Sequence, residues 1–105
     1  MTGKINGRFY FKKTSNGNLV GEWSNSLETQ TFSESADLVE PGAGTYLGDY
    51  ASTWQENKNP IFATLTIRRK RLGPLFTLEW RGTSNFDGEG MLCDDILIGD
   101  YHSLP

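Results

Sequence analysis

Ile61-Phe62-Ala63-Thr64-Leu65-Thr66-Ile67-Arg68 is the stretch whose reading decides the fold. Ile61, Ala63, Leu65 and Ile67 fall on one side, and Phe62, Thr64 and Thr66 on the other. A repeat of two residues places alternate side chains on opposite faces of an extended chain, whereas a helix needs a repeat near 3.6. The β-branched and aromatic residues here also suit a pleated, half-buried surface.

The same period continues in both directions. Leu75 to Arg81 sets Phe76, Leu78 and Trp80 on one face, after a turn at Leu72-Gly73-Pro74. Thr45 to Gln55 aligns Tyr46, Gly48, Tyr50, Ser52 and Trp54, and Glu56 to Pro60 turns the chain. Upstream, Arg8 to Lys12 pairs Phe9 with Phe11. Ser15-Asn16-Gly17-Asn18 then carries the Asn-Gly hairpin signal, and Leu19 to Asn25 returns with Leu19, Gly21 and Trp23 together. Thr29 to Leu38 alternates weakly around Phe32 and reads as an edge-like or irregular strand, with Glu40 to Gly44 as a loop. Downstream, Gly82 to Asn85 is a turn, Phe86 to Cys93 a glycine-rich strand, Asp94-Asp95 a tight turn and Ile96 to Tyr101 the last strand. No segment carries a capped helical stripe. Eight short strands joined by local turns predict an all-β domain spanning residues 1–105. The expected form is an antiparallel up-and-down (meander) barrel, because closure removes the two edges an open meander would expose.

One internal echo fits this architecture. Val20-Gly21-Glu22-Trp23, Leu47-Gly48-Asp49-Tyr50 and Ile98-Gly99-Asp100-Tyr101 each run aliphatic, glycine, acid, aromatic. The aromatic lies two residues from a bare glycine, on the same strand face, where a sharply bent strand leaves room for a ring.

Composition narrows the function classes. The chain has 105 residues, 36% of them hydrophobic, with three Trp, four Tyr and six Phe carrying much of the core mass. Each buried ring hides roughly 150–250 Å². A net charge of −3 speaks against a nucleic-acid binder. No apolar run reaches the roughly 20 residues of a membrane helix. Cys93 is the single cysteine, which leaves no internal disulfide and leans toward a reducing, cytoplasmic compartment. No secretory signal region is visible.

Several motifs resemble a known group. Gly21-Glu22-Trp23 resembles the G-x-W motif of lipocalins, and Gly21 to Thr29 resembles the first strand and loop of avidins. Gly44-Thr45-Tyr46, Phe76-Thr77-Leu78-Glu79-Trp80 and Leu97-Ile98-Gly99 resemble later avidin segments in the same order. Both families are calycin barrels, and the chain also resembles small bacterial lipocalin-like barrels. The avidin resemblance implies that Asn25, Thr29 and Tyr46 would hydrogen-bond a biotin ureido oxygen and that Trp80 would form a pocket wall. The pattern departs at Gly48, where a polar side chain is expected, and at Tyr101, where an aspartate is expected. The avidin hairpin that carries further pocket tryptophans is missing, because Cys93-Asp94-Asp95 turns straight into the last strand. Phe9 to Lys12 has no counterpart. These departures remove several ligand contacts, so biotin is not the expected ligand.

The residue types themselves point to ligand binding without catalysis. Trp23, Tyr46, Tyr50, Trp54 and Trp80 form the candidate site for a small hydrophobic or aromatic ligand, to which the avidin resemblance adds Asn25 and Thr29. The alternative is that the same rings fill the lumen and the domain serves as a structural or homo-oligomeric interaction module. Apolar residues on both faces, such as Tyr10 beside Phe9 and Phe62 beside Ile61, favour that alternative. Arg68-Arg69-Lys70-Arg71 reads as a solvated hairpin end, and His102 as an exposed tail residue near Asp94, Asp95 and Asp100. No convergent nucleophile and base, metal-ligand set or cofactor motif is present, so no enzyme activity and no cofactor is expected.

Overall fold

The computed structural model describes residues 5–71 and 73–105. Met1 to Lys4, and Leu72 of the expected Leu72-Gly73-Pro74 turn, lie outside the described residues. The others form strands β1 (Asn6–Lys13), β2 (Leu19–Asn25), β3 (Phe32–Pro41), β4 (Gly48–Glu56), β5 (Asn59–Arg69), β6 (Phe76–Gly82), β7 (Phe86–Cys93) and β8 (Ile96–Ser103). Each strand pairs antiparallel with the next, and β8 pairs with β1, so the sheet closes on itself. There is no helix among the described residues. The all-β meander barrel expected from alternation is the fold observed.

Two of the hairpins use two-residue turns. Asn57 and Lys58 take φ of 52° and 67°, and Asp94 and Asp95 take 50° and 68°. This double positive φ matches the right-handed twist of the flanking strands. The Asn16-Gly17 signal marks a longer loop, residues 14–18, in which Gly17 alone takes a positive φ of 87°. Its ends are tied by the Thr14 N–H to the Asn18 carbonyl at 2.8 Å.

The structure corrects three strand bounds. β3 starts at Phe32 rather than Thr29, and it continues through Glu40 and Pro41, which were expected in a loop. A bulge between Leu38 and Glu40 absorbs Val39 and lets the pairing with β4 resume. β4 starts at Gly48, so Tyr46 belongs to the connection before it and not to the strand face it was expected to share.

The inward faces form one core. Phe9, Phe11, Leu19, Ala36, Tyr50, Trp54, Leu65, Ile67, Phe76, Leu78, Trp80, Leu97 and Tyr101 are all buried. Close strand approach makes two glycines obligatory. A Cβ at Gly21 would run into the Tyr10 carbonyl of β1, and one at Gly99 into the Glu89 carbonyl of β7. Gly21 faces Phe11 and Gly99 faces Phe9 in register, so each bare position leaves lumen space for a neighbouring ring.

One end of the barrel is sealed. The β3–β4 connection folds back through the Gly42 N–H to Leu47 carbonyl bond of 2.7 Å. It drives Tyr46, at φ 70°, across the lumen. The Tyr46 hydroxyl lies 2.6 Å from the Asp95 carbonyl and 3.0 Å from the Phe11 carbonyl, and the Tyr50 hydroxyl donates to the Tyr46 carbonyl at 2.9 Å. These bonds hold a non-glycine residue in a left-handed conformation that is costly on its own. Replacing Tyr46 with Phe leaves the carbonyls without their donor, and thermal unfolding should show a loss of about 1–3 kcal/mol.

Candidate functional site

The opposite end, where β2, β4, β6 and β8 finish, is open to a cavity. Its wall is aromatic: Phe9, Trp23, Trp54, Trp80, Phe86 and Tyr101 line it, with Ile5, Asn25, Glu34 and Glu56. The free volume is about 50 Å³. At roughly 10–15 Å³ for each water-sized centre, it holds about four such groups. The barrel is therefore filled at the Tyr46 end and hollow at the other.

Alternation and register place the wall. Trp23 near the end of β2 pairs with Phe9 on β1 and with Phe32 on β3, against which it stacks at 4.8 Å. Trp80 near the end of β6 pairs with Phe86 at the start of β7. Phe9 meets Trp80 edge-on at 5.5 Å, and Phe86 meets Tyr101 edge-on at 5.6 Å. Such tilted arrangements set the positive edge of one ring against the negative face of the next.

Glu34 is the chemically distinctive member. It is buried on β3, between Gly21 on β2 and Trp54 on β4 in register. Its Oε2 accepts from the Ser52 hydroxyl and, at 2.8 Å, from the Trp80 indole N–H. Since β3 and β6 are not neighbours, the second bond spans the lumen. Burial pushes the Glu34 carboxyl up to about 7, against the downward pull of these two bonds. The outer polar groups are also organised. The Asn25 amide donates to the Tyr101 hydroxyl at 3.2 Å, and that hydroxyl donates to the Ser24 carbonyl at 3.3 Å. Burial raises the Tyr101 phenol to about 12, with the Glu34, Glu28 and Glu56 carboxylates adding to the rise. The Trp54 indole N–H donates to Glu56 at 2.9 Å. The Trp23 indole nitrogen is buried without a partner among the described residues.

Of the residues expected to bind ligand, the structure brings Trp23, Asn25, Trp54 and Trp80 together around this cavity. Tyr46 and Tyr50 stand at the sealed end, and Thr29 is exposed in the β2–β3 loop. The three residues implied by the avidin resemblance are thus not gathered at one point. Glu34 is the member that sequence reasoning missed. Its signal was parity: Glu34 shares a strand face with Phe32, Ala36 and Leu38, so a carboxylate sits on the apolar side of β3.

The remaining candidates lie on the outer wall or at the strand ends. In the basic run, Arg68 reaches Glu79 at 3.8 Å, Lys70 pairs with Glu89, and Arg69 lies over the Phe76 ring at 5.0 Å. His102 sits within β8, half-buried between Asn6 and Asp87 in register, rather than on an exposed tail. Tyr10, Ile98 and Met91 form an outward row across β1, β8 and β7. No group of three or more metal-ligating side chains is found among the described residues.

Fold and site together define a small closed eight-stranded antiparallel barrel, sealed at one end and opening at the other onto an aromatic cavity with a buried carboxyl group. No protein-family model, curated protein or solved structure matches the chain.

Proposed function

We propose that this barrel is a non-catalytic binding module that takes a small, largely apolar or aromatic ligand at its open end. One observation carries the reading: the lumen is closed by Tyr46 at one end and left hollow and ring-lined at the other. A lumen serving stability alone gains from close packing, since each void forfeits dispersion contacts. The free volume of about 50 Å³ limits the inserted part of the ligand to a few heavy atoms, with any remainder projecting through the mouth. That is far below the roughly 300–1,000 Å³ of pockets that enclose a drug-sized molecule. The closed meander and the mouth positions of Asn25 and Trp80 support likeness to calycin barrels, and the small volume argues against biotin.

The test is built into the chain, because Trp23, Trp54 and Trp80 are its only tryptophans and all three line the cavity. Titration with benzyl alcohol is expected to shift and quench their emission with a saturable curve. An emission spectrum that changes only linearly with ligand, as free indole does, would end the proposal.

A further inference from the structure

The binding-module reading leaves open which chemistry the cavity prefers, and the polar groups inside it bear on that choice. Both protein hydrogen bonds to Glu34 fall on Oε2. Among the described residues Oε1 accepts none, and Glu34 lines the cavity. Among the described residues, no Lys, Arg or His shares the lining. Neither Glu34 nor Glu56 takes part in an ion pair among the described residues. A buried carboxylate ordinarily finds a cation or a full set of donors. Here the surrounding side chains supply half a set of donors and an aromatic wall, and the face of an aromatic ring attracts positive charge.

We infer that the cavity selects a small organic cation, a primary alkylammonium whose N–H donates to Glu34 Oε1 while its carbons lie among Trp23, Trp54 and Trp80. The inference rests on the binding-module reading and deepens it. Each competing class meets a specific obstacle. An anion would face Glu34 and Glu56 together. A neutral hydrocarbon filling the cavity would displace water and leave Oε1 without a donor. A bare metal ion would find no group of three or more ligating side chains among the described residues. The volume sets the size: an ammonium nitrogen and about three carbons fill roughly four water-sized places. Glu56, near the rim and held by the Trp54 indole, adds attraction for a cation on its way in.

The full chain is titrated with n-propylammonium chloride, n-propanol and sodium propionate at about pH 8, where a carboxyl with a pKa of about 7 is mostly ionised. Tryptophan emission and calorimetry serve as readouts. Propylammonium is expected to bind at least about tenfold more tightly than propanol, the ratio of one hydrogen bond to a charged group. Propionate is expected not to bind. Glu34→Gln is expected to bring the ratio close to one. Glu56→Gln, at an exposed position, lowers it by a smaller factor and does not depend on a core variant folding. Equal affinity for propanol and propylammonium in the wild-type chain, or an undiminished ratio in Glu34→Gln, overturns the inference while leaving the binding module intact. Silence toward all three probes and toward benzyl alcohol removes both.

Discussion

Urea unfolding at a series of pH values will show the barrel losing about 3 kcal/mol of stability between about pH 4.5 and about pH 8, and Glu34→Gln will remove most of that slope. The sign follows from the Glu34 carboxyl. Its pKa rises from the ordinary 4.5 in the unfolded chain to about 7 in the barrel. Below about pH 4.5 both states hold the proton and the group contributes no difference. Between the two values the folded state keeps a proton that the unfolded chain has released, so raising the pH favours unfolding. Above about pH 7 the proton is gone from both states, and the full cost of a buried charge is present. This is the reverse of an ion-paired carboxylate, which stabilises a fold as pH rises. The difference between wild type and Glu34→Gln isolates this residue from every other ionisable group. A parallel slope in the two proteins would show that Glu34 ionises as a solvated side chain does. By mass action, a bound alkylammonium would flatten the wild-type slope at its alkaline end, because it stabilises the ionised form.

The second large effect concerns the backbone. Gly21→Ala is expected to cost about 3 kcal/mol, near the upper end for overpacked sites, and to lower the melting temperature by about 15 °C. The new methyl group would occupy the space of the Tyr10 carbonyl on the paired strand, with the Phe11 ring 2.9 Å away. A carbonyl held in the β1–β2 ladder cannot step aside as a flexible side chain can, so the strands must separate. Gly44→Ala is the matched control. There the nearest atom is the Leu47 Cδ1 at 3.3 Å, the end of a mobile side chain, and the melting temperature should move only slightly. Equal effects at the two positions would mean that strand proximity at Gly21 is not a constraint.

Alternation made most of this barrel readable. In β6 the two faces differ sharply in polarity, and in β5 and β2 alternation still groups the residues that share a face; which face turns inward is settled by the closed sheet. β3 was read poorly for a physical reason. Its inward face is Phe32, Glu34, Ala36 and Leu38, and the carboxylate breaks the contrast on which the pattern depends. That residue becomes intelligible only once β4 and β6 deliver the Ser52 hydroxyl and the Trp80 indole to the same spot, a meeting of three separated segments. Tyr46 misled for another reason. In Gly44-Thr45-Tyr46 it continues the parity of Tyr50 and Trp54, and tyrosine carries no local mark of a left-handed backbone. Its role as a plug is set by carbonyls from β1 and the β7–β8 turn, which propensity cannot foresee. Trp23, Trp54 and Trp80 were found as rings at alternating strand positions, and Asn25 through the avidin resemblance. Which of the two mouths stays hollow depends on how the β3–β4 connection folds back.

The seam between β1 and β8 bears on how the chain is made. Seven of the eight strand pairings join consecutive segments and can form as soon as each hairpin leaves the ribosome. The eighth joins chain positions as far apart as Ile5 and Ser103, which exchange two hydrogen bonds of 2.9 Å. Its loop-closure entropy cannot be recovered until the last strand has been synthesised. Until then a nascent sheet carries two open edges, one of them β1 with Phe9 and Phe11 awaiting their partners. The vulnerable interval therefore lasts until β8 has emerged, and a truncation that removes β8 would release a chain prone to edge-to-edge aggregation rather than a smaller working barrel.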